Sequence, residues 1–91
     1  MYATKIKMRF GCGSSNNLTE IDEIYLIGST NERFYKKEVL HDHLINHSNS
    51  IQVNISPYPY LVPATSYKGE KYVKSTPNST TNDNLLSLPR V

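Results

Sequence analysis

Residues 4–10 read TKIKMRF, an unbroken alternation with Ile6, Met8 and Phe10 on one side and Lys5, Lys7 and Arg9 on the other. Successive side chains of an extended chain point to opposite faces, so this order makes a strand with one apolar and one basic face. The apolar side needs a covering layer, and the basic side belongs in water unless a ligand takes it. The ordinary reading of such a basic stripe is a solvated face. "GCGSSNN" ends the strand, because Gly, Ser and Asn favour turns.

The same period returns downstream. Leu18–Ile27, LTEIDEIYLI, is a second strand, with Ile24 and Leu26 on one face and Tyr25 and Ile27 on the other, closed by Gly28. The first two strands are expected to form a hairpin across a seven-residue loop. Ile51–Ile55, IQVNI, is a third strand, and SPYPY after it is a loop or exposed edge because proline donates no ladder hydrogen bond. Leu61–Ser66 and Lys71–Ser75 read as two strands around YKGE, where Gly69 is free to take positive φ. Between the second and third strands, STNERFYKKEVLHDHLINHSNS is expected to be a helix. Ser29, Thr30 or Asn31 would cap it, Glu32 suits its first turn, and Phe34, Val39, Leu40, Leu44 and Ile45 form its apolar stripe.

The expected fold class is α+β: a small antiparallel sheet of four to five strands packed on one helix, in the order ββαβββ, within a single domain spanning 1–91. Only 37% of the 91 residues are apolar, so the core is thin and a homo-oligomer is a natural way to bury more surface. The last stretch, 76–91, is expected to run as a polar loop and then an apolar hook. Pro77 and NSTTNDN cross the surface, with Asn82, Asp83 and Asn84 satisfying local backbone groups. Leu85, Leu86 and Leu88 then dock on the core, each burial contributing about 1.5–3 kcal/mol before ordering costs.

KYVKSTPNSTTNDNLLSLP resembles the C-terminal signature of the small bacterial and phage proteins grouped as domain of unknown function 3892. That signature is an aromatic-containing strand, Thr-Pro, a polar spacer, then Asp-Asn-Leu-Leu, one residue and Leu-Pro. Tyr72, Thr76, Pro77, Asp83, Asn84, Leu85, Leu86, Leu88 and Pro89 stand at the matching places. Upstream, only the order of strands and helix agrees, and SNSIQVNISPYPYLVP departs from the family's usual middle section. The resemblance implies a small mixed α/β domain of bacterial or phage origin and implies no activity. A composition rich in Asn, Ile, Lys and Tyr suits an AT-rich genome.

The chemistry-bearing residues are few. His43 and His47, four apart on the expected helix, share a face, but neither His41 nor Asp42 completes a zinc set, so no metal is expected. Cys12 lies between glycines, yet nothing in the sequence brings a histidine to it as base, and a single cysteine excludes an internal disulfide. The loop GCGSSNN offers amides to an anion but lacks the spacing of a P-loop or a dinucleotide turn. With no carboxylate pair, triad or metal cluster, the expectation is a protein that is not an enzyme and needs no cofactor.

The clearest compositional signal is aromatic. Tyr58, Tyr60, Tyr67 and Tyr72 crowd the C-terminal half, interleaved with Lys68, Lys71 and Lys74. Tyrosine is a good strand residue in its own right. Rings that stack on bases beside amines that attract phosphate also suit a nucleotide. The expected ligand-binding set is Lys5, Lys7, Arg9, Tyr58, Tyr60, Tyr67, Lys71, Tyr72 and Lys74, taking an anionic, nucleotide-type ligand such as a signalling nucleotide sequestered by a phage protein. The alternatives are a protein-interaction module built on SPYPYLVP, or a weak single-stranded nucleic-acid binder. A net charge of +2 falls short of a dedicated nucleic-acid protein, so nucleic acid is not the expected partner. MYATKIKMRF has no apolar signal core and no stretch is long enough to span a bilayer, so no membrane is expected and the cytoplasm is the expected location.

Overall fold

The computed structural model of the chain describes residues 1–76 and 83–91. Six strands and one helix run in the order β1 (Tyr2–Met8), β2 (Ile21–Ile27), β3 (Arg33–Lys36), α1 (Lys37–Asn46), β4 (Gln52–Val53), β5 (Leu61–Thr65) and β6 (Lys71–Ser75), with short 3-10 turns at Leu18–Glu20 and Asn84–Ser87. The class is α+β with one helix, as the sequence predicts, but the strands divide into two sheets: a four-stranded one in the order β3-β2-β1-β4, and the β5-β6 hairpin.

β1 and β2 pair antiparallel, with Ile6 opposite Ile24 and Ala3 opposite Leu26. These four side chains are at most 1% exposed, so the alternation in the sequence does set the core face. Phe10 does not join it; β1 ends at Met8 and Phe10 is fully exposed. The reason is a turn: the Cys12 amide donates to the Arg9 carbonyl at 2.9 Å, which puts Phe10 at a corner, and Gly11 takes φ +80 beside it. β4 joins the other edge of β1 in parallel rather than antiparallel, because the chain reaches that edge by crossing over through α1.

The expected helix begins later than its pattern suggests. Arg33–Lys36 is strand, pairing antiparallel with β2 so that Phe34 lies opposite Tyr25. Aromatic side chains favour that cross-strand packing, and the two rings meet edge to face at 5.1 Å. The helix therefore starts after Lys36, which caps it without a side-chain hydrogen bond, so Ser29, Thr30 and Asn31 are not its caps. Leu40 and Leu44 are buried as expected, whereas Val39 and Ile45 face water at 55% and 61% exposure. β4 is also shorter than IQVNI; Ile51 and Val53 are buried and Ile55 is half-buried, because the Tyr58 amide donates to the Ile55 carbonyl and turns the chain.

α1 and the β5-β6 hairpin form the second layer. Leu40, Leu44, Leu61 and Val73 meet the inner face of the four-stranded sheet in one continuous core. β5 and β6 pair from Leu61–Ser75 to Thr65–Lys71, and Gly69 takes φ +85 in the connecting turn.

The apolar hook docks as predicted. Leu85 is fully buried, Leu88 is 4% exposed, and Leu86 packs against the same cluster. The Asp83 carboxylate caps the 3-10 turn by accepting from the Leu85 amide at 2.8 Å, and it also accepts from the Ser75 hydroxyl at 2.7 Å. Beyond the leucines the backbone adds to the edge of β1. The Ile6 amide donates to the Pro89 carbonyl at 2.9 Å, and the Val91 amide donates to the Ile6 carbonyl at 3.1 Å. The expected loop over 77–82 lies outside the described residues.

Candidate functional site

A groove of about 560 Å³ opens between the start of β2 and the β5-β6 turn, lined by Arg9, Thr19, Tyr67, Lys68, Glu70 and Tyr72 among others. Two of its lining residues, Thr19 and Glu70, are tied to an unusual side chain. Lys37, the first residue of α1, is only 2% exposed. A buried ammonium is costly unless all its protons find acceptors near a compensating charge. Its Nζ donates to the Thr19 carbonyl and, at 2.6 Å, to a carboxylate oxygen of Glu70. Arg9 donates to the same oxygen. Glu70 thus ties together the end of β1, the start of α1 and the hairpin turn. The hydrogen bond from Lys37, then the charges of Lys37 and Arg9, hold the Glu70 carboxyl below the ordinary carboxylate range against the opposing effect of burial.

The second carboxylate of the groove is also engaged. Glu20 accepts from the Ser15 hydroxyl and, at 3.0 Å, from the Cys12 thiol, and these two bonds hold its pKa down. The same contact, helped by burial, pushes the Cys12 thiol up. Among the described residues no histidine is hydrogen-bonded to this cysteine, and a thiol whose proton is held by a carboxylate is a poor nucleophile at neutral pH. Arg90 pins the loop by donating to the Gly13 and Ser15 carbonyls at 2.9 and 2.7 Å.

Of the nine side chains expected to bind ligand, Arg9, Tyr67 and Tyr72 come together in this groove. Lys5 and Lys7 lie on the sheet face turned away from α1, where the Lys5 amine sits 4.8 Å from the centre of the Tyr25 ring and Lys7 approaches Glu23 at 3.9 Å. Lys71 reaches across to Asp42 on α1 at 3.0 Å, and Lys74 is exposed on β6. Tyr58 and Tyr60 belong to the loop before β5, beside β4: the Tyr58 carbonyl accepts from Gln52 Nε2 and the Tyr60 carbonyl from the Thr76 amide. They are not part of the groove. Spacing in sequence placed these tyrosines together, whereas the hairpin separates them.

Sequence reasoning counted Lys68 in the tyrosine–lysine cluster but left it out of the binding set, assigned Phe10 to the core face, and missed Glu70. Tyr67 is 95% exposed with the Lys68 amine 5.7 Å from its ring centre, and Phe10 follows Arg9 directly. Both rings are bare, and Arg9, the chain neighbour of Phe10, bonds Glu70 just after the turn that carries Tyr67. Phe10 continues the alternation of TKIKMRF, so the signal against its burial was the glycine-rich stretch that follows it at once.

The histidines make no site with these groups. His41 is buried and shares a hydrogen bond with Asp42 at 3.0 Å, while His43 and His47 stack in parallel at 4.5 Å. Among the described residues no group of three or more His, Cys, Asp or Glu is placed to hold a metal. Among the same residues no helix is long and apolar enough to cross a membrane.

The family model described as "Protein of unknown function (DUF3892)" matches residues 3–89. The chain belongs to this family. The match takes in the middle section as well as the tail, so the likeness visible at 71–89 extends over nearly the whole DUF3892 fold described above, including the groove. Comparison with curated proteins and with solved structures finds no match.

Proposed function

We propose that this DUF3892 protein is a non-catalytic binding protein that captures a nucleotide-type ligand in the groove between β1, β2 and the β5-β6 turn. The carrying observation is that Arg9, Lys68, Tyr67 and Tyr72 line one hollow of about 560 Å³, a size typical of small-ligand sites at roughly 300–1,000 Å³. The two tyrosine rings offer stacking surfaces, and the cations offer partners for phosphate. Of the groove's carboxylates, Glu70 is offset by Lys37 and Arg9, whereas Glu20, bonded by the neutral Ser15 hydroxyl and Cys12 thiol, keeps its negative charge. The lining itself is balanced, Arg9 and Lys68 against Glu20 and Glu70, and the buried Lys37 bonded to Glu70 adds one positive charge. Binding without turnover suits a sequestering role toward a signalling nucleotide, and a free thiol suits a cytoplasmic setting. Exposed Phe10 and Tyr67 would also serve contacts between copies in a homo-oligomer.

The test is a thermal-shift and calorimetry screen of the intact chain against mononucleotides and cyclic dinucleotides. Ligand at 100 times its Kd adds about 2.7 kcal/mol, which raises Tm by roughly 10–20 °C in a domain this small. Tyr67→Ala, at an almost fully exposed position, is expected to keep the fold and weaken binding about 5- to 100-fold. The reading fails if no nucleotide at millimolar concentration shifts the melt. A second reading, a protein-interaction module, draws on Tyr58 and Tyr60, which are 47% and 38% exposed outside the groove. Partner capture abolished by Tyr58→Ala with Tyr60→Ala, with nucleotides inert, would favour it.

A further inference from the structure

The four-stranded sheet has one covered face and one bare face. Ala3, Ile6, Ile24 and Leu26 point toward α1 and are sealed. The opposite face is built of cross-strand rows: Tyr2 beside Ile27, then Lys5, Tyr25 and Phe34, then Lys7, Glu23 and Lys36. Every one of these side chains is half-buried or exposed. The middle row is an aromatic pair with an amine laid on it, since Tyr25 and Phe34 meet at 5.1 Å and the Lys5 amine lies 4.8 Å from the Tyr25 ring centre.

Charge decides what fits there. Lys36 is paired with Asp22 at 3.3 Å and Lys7 with Glu23 at 3.9 Å, whereas Lys5 has no carboxylate within salt-bridge distance among the described residues. Lys5, Lys7 and Lys36 against Asp22 and Glu23 leave one positive charge in excess. A second copy docked face to face by a two-fold axis would set that excess against itself. A duplex cannot bring its stacked bases to a flat row of rings.

We propose that this face docks a single-stranded nucleic acid, with bases on Tyr25, Phe34 and Tyr2 and phosphates on Lys5, Lys7 and Lys36. The Lys5 amine is the moving part. It leaves the Tyr25 ring for a phosphate as a base takes its place, exchanging one favourable contact with the ring for another. A local patch of this kind binds weakly and needs no large net charge on the whole chain. It is a separate site from the groove, with different residues.

The test is fluorescence anisotropy of fluorescein-labelled dT and rU 12-mers with the intact chain in 50 and 200 mM salt. Two to three phosphates neutralised predict a weakening of roughly 7- to 18-fold between these salts. Lys5→Glu with Lys7→Glu, both exposed, is expected to weaken binding at least tenfold and flatten the salt slope. Phe34→Leu is expected to weaken binding while leaving the slope in place, and Tyr67→Ala in the groove to leave both unchanged. Binding of dT alone, rU alone or both supports the proposal and names the strand. No anisotropy change with 100 µM protein in 50 mM salt overturns it. So does equal binding of a duplex, loss on Tyr67→Ala without loss on the lysine variant, or a dimer that the lysine variant dissociates.

Discussion

Leu85 is fully buried, and the DUF3892 domain depends on it for a core that has few apolar residues to spare. Replacing it with alanine removes three heavy atoms from the place where the tail meets β1 and β6. Leucine-to-alanine changes at sealed positions cost about 2–5 kcal/mol, the spread reflecting how far the site collapses. The Asp83 cap on the Leu85 amide holds the backbone in place and resists collapse, so a loss near 3 kcal/mol is the expected value. A domain of this size has roughly 5–14 kcal/mol in total at 0.05–0.15 per residue. At roughly 4–8 °C per kcal/mol, the melting point should fall by about 12–24 °C. The assay is paired urea and thermal unfolding followed by circular dichroism, with Ser87→Ala, at an exposed position of the same turn, as control. Half-buried Leu86→Ala should lie between the two. If Leu85→Ala unfolds within about 0.5 kcal/mol of the Ser87→Ala control, the tail is not part of the core and the reasoning fails.

Two further outcomes are expected. Glu20, Asp42 and Glu70 all have depressed pKa values in the fold, so their contribution to stability is complete above about pH 4.5 and is lost as pH falls through the depressed values. Urea midpoints from pH 7 to 3 should therefore fall in acid, and Glu70→Gln should make that fall shallower; a profile that rises toward pH 3 would refute this. Cys12 should alkylate with iodoacetamide at pH 8 more slowly than free cysteine, because Glu20 holds its proton, and Glu20→Gln should speed the reaction; equal rates in the two proteins would show that the thiol–carboxylate contact does not control it.

Local order was legible where one face of an element meets the core. TKIKMRF, IYLI and KYVKS announced their strands because burial on one side writes a period of two into the chain, and YKGE announced its turn through Gly69. RFYK did not. Phe34, Leu40 and Leu44 also satisfy a helical spacing, and what makes Phe34 a strand residue is Tyr25, nine positions earlier on another strand. Whether the strands form one sheet or two was equally hidden, since that depends on which edge β4 takes after the helix crosses over. The groove was half visible. Arg9 and Tyr72 stand out as residue types, but the Glu70 that joins Arg9 to Lys37 is 61 positions from Arg9 and reads as an ordinary surface acid. Lys37 was invisible for the same reason: nothing around it in sequence marks a lysine for burial, and only the convergence of the Thr19 carbonyl and Glu70 makes it tolerable there.

Ile6 shares both of its outward main-chain groups with residues 89 and 91. On a ribosome delivering about 5–20 residues each second, the first strand therefore emerges early and waits for its last neighbour. During that interval one side of it is an open template for any passing polypeptide. Closure of this edge is a late event in which residues 89 and 91 clasp a strand made much earlier, and a factor that shields nascent strands would act on it in that window.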